Sequence, residues 1–251
     1  MKHSAGMHAN LLRALERIGH LTAGSEIART SGWQLIDAGV GMRQFNLALP
    51  TALKADTTPA IAVASDWFRE RGTEFSLMLR EPGDEPLIAA ARELGFALVE
   101  REPSMLLRPI PPPDDLPAGL SVHMVRTADD VARYGTVDGE SWHELTLGIA
   151  RTVSAFPDFT MLLGELDGVA VATSMAVVTG NVVGVYNVQT RTEARGRGIG
   201  RAMTLAAIDA GRAAGCTMAS LQSTPAGLSV YRRLGFERVN DYVVLDSPAR
   251  S

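Results

Sequence analysis

The sequence predicts an α/β (α+β) protein of two tandem halves, and three observations predict it. First, residues 108–119, RPIPPPDDLPAG, hold five prolines. Proline fixes φ and lacks an N–H, so this stretch cannot join a helix or a central strand. Second, the chain echoes itself on either side. AARELGFALVE (90–100) resembles VYRRLGFERVN (230–240), and QFNLAL (44–49) resembles VYNVQT (185–190). Asn46 and Leu94 lie 48 positions apart, Asn187 and Leu234 47, so the anchors keep their spacing as a duplicated unit would. Third, the second half alternates strand-like apolar runs with runs of helical period. The halves are then 1–108 and 120–251, joined by a semi-rigid linker, 109–119.

The elements follow in order. Near the N-terminus Leu11, Leu12, Leu15 and Ile18 fall at helical spacing, and Arg13, Glu16 and Arg17 break the apolar run, so an amphipathic helix is expected rather than a signal peptide. After the linker LSVHMVR alternates like a strand, and Thr127 with Asp130 marks a helix start. FTMLLGELDG, VAVATSMAVVTG and VVGVYNVQT read as strands separated by Asp-Gly and Thr-Gly-Asn turns. A glycine- and arginine-rich turn leads into a helix whose face carries Ile199, Met203, Ala206, Ala210 and Ala213 and which Gly215 closes. CTMASLQ is a short strand, GLSVYRRLG a short helix, and FERVNDYVVL a final hairpin or pair of strands. In the first half Trp33, Trp67 and Phe68 are expected in the core.

Composition narrows the function. A net charge of −4 argues against general nucleic-acid binding, which needs a broad basic surface. No apolar run approaches a membrane span, and the single cysteine, Cys216, excludes an internal disulfide framework, which fits a cytoplasmic protein. One cysteine and few histidines leave no metal site to expect.

Against that acidic background, residues 190–203 read TRTEARGRGIGRAM. A strand enters, glycines follow, and a helix leaves. Bare amides at a helix start, glycines that let an anion approach, and arginine donors together make a pyrophosphate cradle. The dinucleotide fingerprint G-x-G-x-x-G is not met, and the P-loop lysine is missing. Arg195, Gly198 and Gly200 do meet R-x-x-G-x-G.

With NVQTRTEARGRGIGRAM followed by LQSTPAGLSVYRRLGFERV, residues 120–245 resemble the GNAT superfamily of acyl-CoA-dependent N-acyltransferases. The resemblance implies two GNAT-like domains, each with a mixed, mostly antiparallel central sheet flanked by helices. It implies acetyl-CoA as cosubstrate, held by Arg195, Gly196, Arg197, Gly198, Ile199, Gly200 and Arg201 at the pyrophosphate, and by backbone groups of Val188 and Thr190 along the pantetheine arm. Tyr231 would be the acid at the departing thiolate. Thr192 and Thr224 stand where the family often has proline and asparagine. Glu140 and His143, in GESWHE, are the candidate bases, each against the plainer reading of a solvated polar residue; Tyr186 and Asn187 near the strand end could instead hold a water, and Trp142 would line the acceptor pocket or be a buried aromatic. The first half has no R-x-x-G-x-G and has Ala91 where the second has Tyr231, so it is expected to be a degenerate copy. It would complete the acceptor pocket or serve as a packing or homodimer surface. The expected activity is acetyl transfer to a primary amine, on a small molecule or a peptide, by direct attack in a ternary complex. The alternative is a non-catalytic acyl-CoA sensor.

Overall fold

A computed structural model describes residues 2–22, 24–39, 43–52, 60–138, 155–225 and 227–249. Helix α1 (Lys2–Gly19) is followed by β1 (Glu26–Thr30), β2 (Trp33–Asp37), β3 (Leu47–Pro50), α2 (Ile61–Arg71), β4 (Ser76–Glu81), α3 (Glu85–Glu93) and β5 (Ala97–Leu107). The second half contains β6 (Leu120–Met124), α4 (Ala128–Asp138), β7 (Phe159–Leu166), β8 (Val169–Thr179), β9 (Val182–Thr190), α5 (Ile199–Ala213), β10 (Met218–Gln222), α6 (Leu228–Arg233) and β11 (Glu237–Asp246).

All the described strands form one sheet, in the order β1-β2-β3-β4-β11-β5-β10-β9-β8-β7-β6. Only β3–β4 and β9–β10 pair in parallel; the other neighbours are antiparallel. The expected mixed, mostly antiparallel sheet flanked by helices is therefore present. The order is symmetric about the β11–β5 seam, with β1 to β4 answering β7 to β10. The last strands are exchanged: β11 pairs with β4, and β5 pairs with β10. A single strand stands where FERVNDYVVL was expected to give two, because a bulge between Arg238 and Asn240 bends it without breaking it.

The register corrects one anchor of the sequence echo. Leu94 and Leu234 do cap α3 and α6, each followed by a left-handed glycine, Gly95 and Gly235. Asn46, however, answers Asn181 rather than Asn187. The Asn46 carbonyl accepts from Ser76 N–H at the start of β4, and the Asn181 carbonyl accepts from Met218 N–H at the start of β10. Apolar alternation repeats every two residues, so QFNLAL matched a segment six positions too far along.

Two elements are buried differently from their sequence pattern. α1 lies across both halves, touching β1 and β2 as well as β8 and β9. It buries Met7, His8, Asn10, Leu11, Leu12, Ala14 and Arg17 instead of one apolar stripe. Its polar residues are matched: Tyr242 Oη lies 2.8 Å from His8 Nδ1, and His8 Nε2 donates to Pro50 O at 2.7 Å. Because the Pro50 carbonyl can only accept, the Nδ1 atom must accept from the tyrosine. Burial holds the neutral ring by lowering its pKa to about 4. On α5, Ala206 and Ala210 are half-buried and Ala213 is exposed, while Ala207, Ile208 and Gly211 are buried. The face is turned because Gly211 brings the helix backbone onto β9: a Cβ there would lie 2.2 Å from Val183 Cβ. Gly211→Ala should cost about 1 to 3 kcal/mol by overpacking. Urea unfolding of the full-length variant checks this.

Candidate active site

After β9 a short turn, Thr192–Ala194, leads to Arg195–Gly198 and then α5. Gly196 and Gly198 sit at φ 77° and 78°, a left-handed conformation that side chains with a Cβ resist. A Cβ at Gly196 would meet nothing within 4 Å, so this side of the turn is open. The first helical bond runs from Ala202 N–H to Gly198 O, 3.0 Å. The amides of Ile199, Gly200 and Arg201 precede it and lack helical partners. Arg195, Arg197 and Arg201 are exposed around them. Arg195 Nε donates to Thr190 O at 3.1 Å, and Arg201 pairs with Asp114 of the linker. Arg197 has no side-chain partner among the described residues. Anion binding is what such a helix start, amides and arginines combined, can do.

Beside the turn, β9 leaves β10. The parallel ladder covers only Val182–Gly184 against Met218–Ser220. Beyond Gly184, β9 continues to Thr190 paired with β8 alone. The parting point is held by α1. Asn10 Nδ2 donates to Val177 O at 2.8 Å, and Tyr186 Oη donates to Asn10 Oδ1 at 2.7 Å. Gly184 makes room for both, since a Cβ there would lie 1.9 Å from Asn10 Oδ1. A bulge opposite Thr173 and Met175 follows, with Asn187 at φ 47°. Asn187 Nδ2 donates to Tyr134 Oη of α4 at 2.8 Å, which fixes the bulge.

The parted strand opens on a cavity of about 500 Å³ between α1 and the seam of the sheet. Leu11, Leu15, Ile18, Phe45, Met78 and Val99 form its apolar wall; Tyr186, Asn187, Val188, Gln222 and Tyr231 line the end nearest β9. Burial pushes the Tyr231 phenol up to about 12, so it is protonated at neutral pH. Gln222 Nε2 is buried with no partner. Three acids also line the cavity: Glu100, Glu102 and Asp246. Asp246 is engaged, accepting from Arg43 Nη1 at 2.9 Å and Ser76 Oγ at 2.6 Å. Glu102 is raised to about 7 by burial first, then by Glu100 beside it.

Of the residues singled out from sequence, Val188 and Tyr231 meet in this cavity, and Arg195–Arg201 form the adjoining turn. Glu140, Trp142 and His143 lie outside the described residues. Cys216 is buried, and burial raises its thiol pKa, which leaves it a poor nucleophile. Glu100 and Glu102 were missed. The available signal was two acids at strand period, Glu100 at the end of AARELGFALVE and Glu102 just beyond it.

The first half has a corresponding parting, closed by its own side chain. β3 pairs with β4 only over Leu47–Ala48. Register places Arg80 where β10 has Gln222. Arg80 Nη2 donates to Ala52 O at 2.7 Å and to Asp84 Oδ1 at 2.6 Å, and the ion pair is buried.

A strand parted beside a glycine–arginine turn, in this sheet, defines the GNAT fold, and solved structures agree. The GCN5-related N-acetyltransferase from Kribbella flavida has a TM-score of 0.75 at 23% identity, covering 98% of this chain and 96% of that one. A tandem GNAT protein from the clavulanic acid biosynthesis pathway has a TM-score of 0.65 at 14% identity, covering 98% and 94%. The GCN5-related N-acetyltransferase from Sphaerobacter thermophilus has a TM-score of 0.61 at 16%, covering 88% and 82%. At these identities the likeness is one of fold. No curated protein matches the chain. The chain belongs to the family described as "Probable histone acetyltransferase Rv0428c C-terminal", which matches residues 11–242.

Arg80→Met would leave Asp84 buried without its counter-ion, at a cost of about 3 to 5 kcal/mol. The loss should appear in denaturant unfolding of the full chain.

Proposed function

We propose that the protein is an acetyl-CoA-dependent N-acetyltransferase that acylates a primary amine by direct attack in a ternary complex, working in the cytoplasm. The observation that carries this reading is the parting of β9 from β10 after Gly184, directly beside the turn at Gly196–Arg201. The open face at Gly196 and the three exposed arginines fit a pyrophosphate, and the unpaired edge of β9 fits a pantetheine arm. Amides of the turn and Arg195, Arg197 and Arg201 would hold the former; backbone groups of Val188 and Thr190 would hold the latter. Acetyl-CoA supplies the activated acyl group as a thioester.

The chain's own residues supply the rest. Val188 N–H, in the bulge, polarises the thioester carbonyl where negative charge develops. Tyr231, held protonated by burial, hydrogen-bonds the departing sulfur, whose thiol has a pKa of about 8.5. The first half contributes wall rather than a second cofactor site, because Arg80 occupies its corresponding parting.

Thiol release in the presence of a panel of amines tests this reading. Acceleration by an amine supports transfer. Slow hydrolysis that no amine accelerates would indicate a coenzyme-binding module instead. Tyr231→Phe should lower kcat by about 100-fold or more, with acetyl-CoA affinity held within about twofold. Gly198→Val places a β-branched residue at a left-handed φ in the turn, and saturable coenzyme A binding by calorimetry should weaken about tenfold or more.

A further inference from the structure

We propose that the acceptor is a primary amine carried on an apolar stem, and that its ammonium group is received and deprotonated by Glu102 of the first half, an assignment that rests on the acetyl-transfer reading. Glu100 and Glu102 are two positions apart on β5, and both line the cavity that ends at Val188 and Tyr231. Neither is paired with a cation among the described residues. Asp246, the third acid, is already paired with Arg43. Glu102 loses hydration beside the like charge of the exposed Glu100, and a cationic ligand would supply the missing counter-ion.

A second observation points to a ligand at the same place. Gln222 Nε2 is buried in the wall of this cavity without a hydrogen-bond partner, although its counterpart Arg80 donates to Asp84 and Ala52. An unsatisfied buried donor calls for a bound acceptor atom, such as a carbonyl oxygen. The opposite wall decides the stem. Leu11, Leu15 and Ile18 of α1, with Phe45 and Met78, offer methyl and aromatic surface and no charge. A polar stem such as an aminosugar would lose its hydration against Leu11, Leu15 and Ile18, which offer no donor or acceptor in return.

The proton count closes. An ammonium nitrogen first gives one proton to the Glu102 carboxylate, which passes it to solvent. The freed lone pair forms the C–N bond while the carbonyl π pair moves to oxygen. When that pair returns, the C–S bond breaks and sulfur takes a proton from Tyr231. The second proton leaves nitrogen and restores the phenol. The products are an amide, a thiol and one proton in solution.

The pH dependence follows from the groups around Glu102. Glu100 lies on its own strand and raises it. From β11 come Tyr242, protonated through burial, and Asp246, which shares the Arg43 guanidinium with Glu74. Tyr186 on β9 and Tyr231 on α6 are protonated for the same reason, and the α1 residues on the cavity wall are uncharged. A base works only when deprotonated, so kcat/KM should rise with pH through about 7, where Glu102 titrates.

The test follows thiol release with n-hexylamine, a lysine-containing pentapeptide and glucosamine, across pH 5.5 to 9, for the full-length wild type and variants. Coenzyme A calorimetry and melting curves establish that each variant is folded. Glu102→Gln should lower kcat/KM by about 100-fold and abolish the rise near pH 7, with coenzyme A affinity unchanged, and Glu102→Asp should restore the rise. Glu100→Gln should move the rise to lower pH by removing the like charge. Hexylamine or the peptide should outpace glucosamine; whichever of those two is faster tells a free alkylamine from a lysine side chain. A folded Glu102→Gln enzyme that keeps the pH profile and rate overturns the base assignment alone. Glucosamine as the best acceptor overturns the apolar stem. No acceleration by any amine in a wild type that binds coenzyme A overturns the transfer reading itself, and this assignment with it.

Discussion

A close polar contact at Gly184 governs the site. The Asn10 carboxamide and the Tyr186 ring occupy the space where any other residue would carry its side chain. With them in place, β9 stops pairing with β10 and continues alone toward the bulge at Asn187. The free edge, the cavity and the orientation of the turn into α5 all follow from that departure. Buried polar groups of this kind tolerate no substitution that leaves one partner unsatisfied, which makes the geometry specific as well as stable.

α1 makes this contact while also serving the other half. His8 joins it to Pro50 and Tyr242, and the Leu12 carbonyl accepts from Gln34 Nε2 at 2.7 Å. Asn10 joins it to β8 and β9. One helix therefore sets the distance between the acids of β5 and the free edge of β9. The same seam explains why two similar halves carry different chemistry. Where the second half leaves Gln222 unsatisfied in an open cleft, the first half fills the corresponding position with the Arg80–Asp84 pair.

Much of this was legible in the sequence because it is written in local signals. The glycine–arginine turn, the cap after Leu234 and the strand runs before the turn depend on φ preferences and short-range periodicity. The Thr127–Asp130 helix start is likewise local, and Asp130 N–H does donate to Thr127 Oγ1 at 3.1 Å. What escaped depends on long-range pairing. The exchange of β5 and β11 joins residues more than a hundred positions apart, and no window of sequence records it. Glu102 is ordinary in its own strand; it gains its character from Glu100 and from a helix at the other end of the chain. Asn46 was matched to the wrong asparagine because apolar alternation fixes a face but not a register. α1 is the amphipathic helix its leucines predict, but apolar spacing does not reveal that His8, Asn10 and Arg17 share its buried face.

The linker of prolines is the natural place to divide the chain on paper, yet β11 lies between β4 and β5. During synthesis, therefore, the first half emerges with a gap in its sheet that only residues 237–246 can fill. Until they leave the ribosome, β4 and β5 present open edges, the surfaces on which chains stick to one another. The two halves must reach their final form together, and the last ten residues translated in the sheet are the ones that join them.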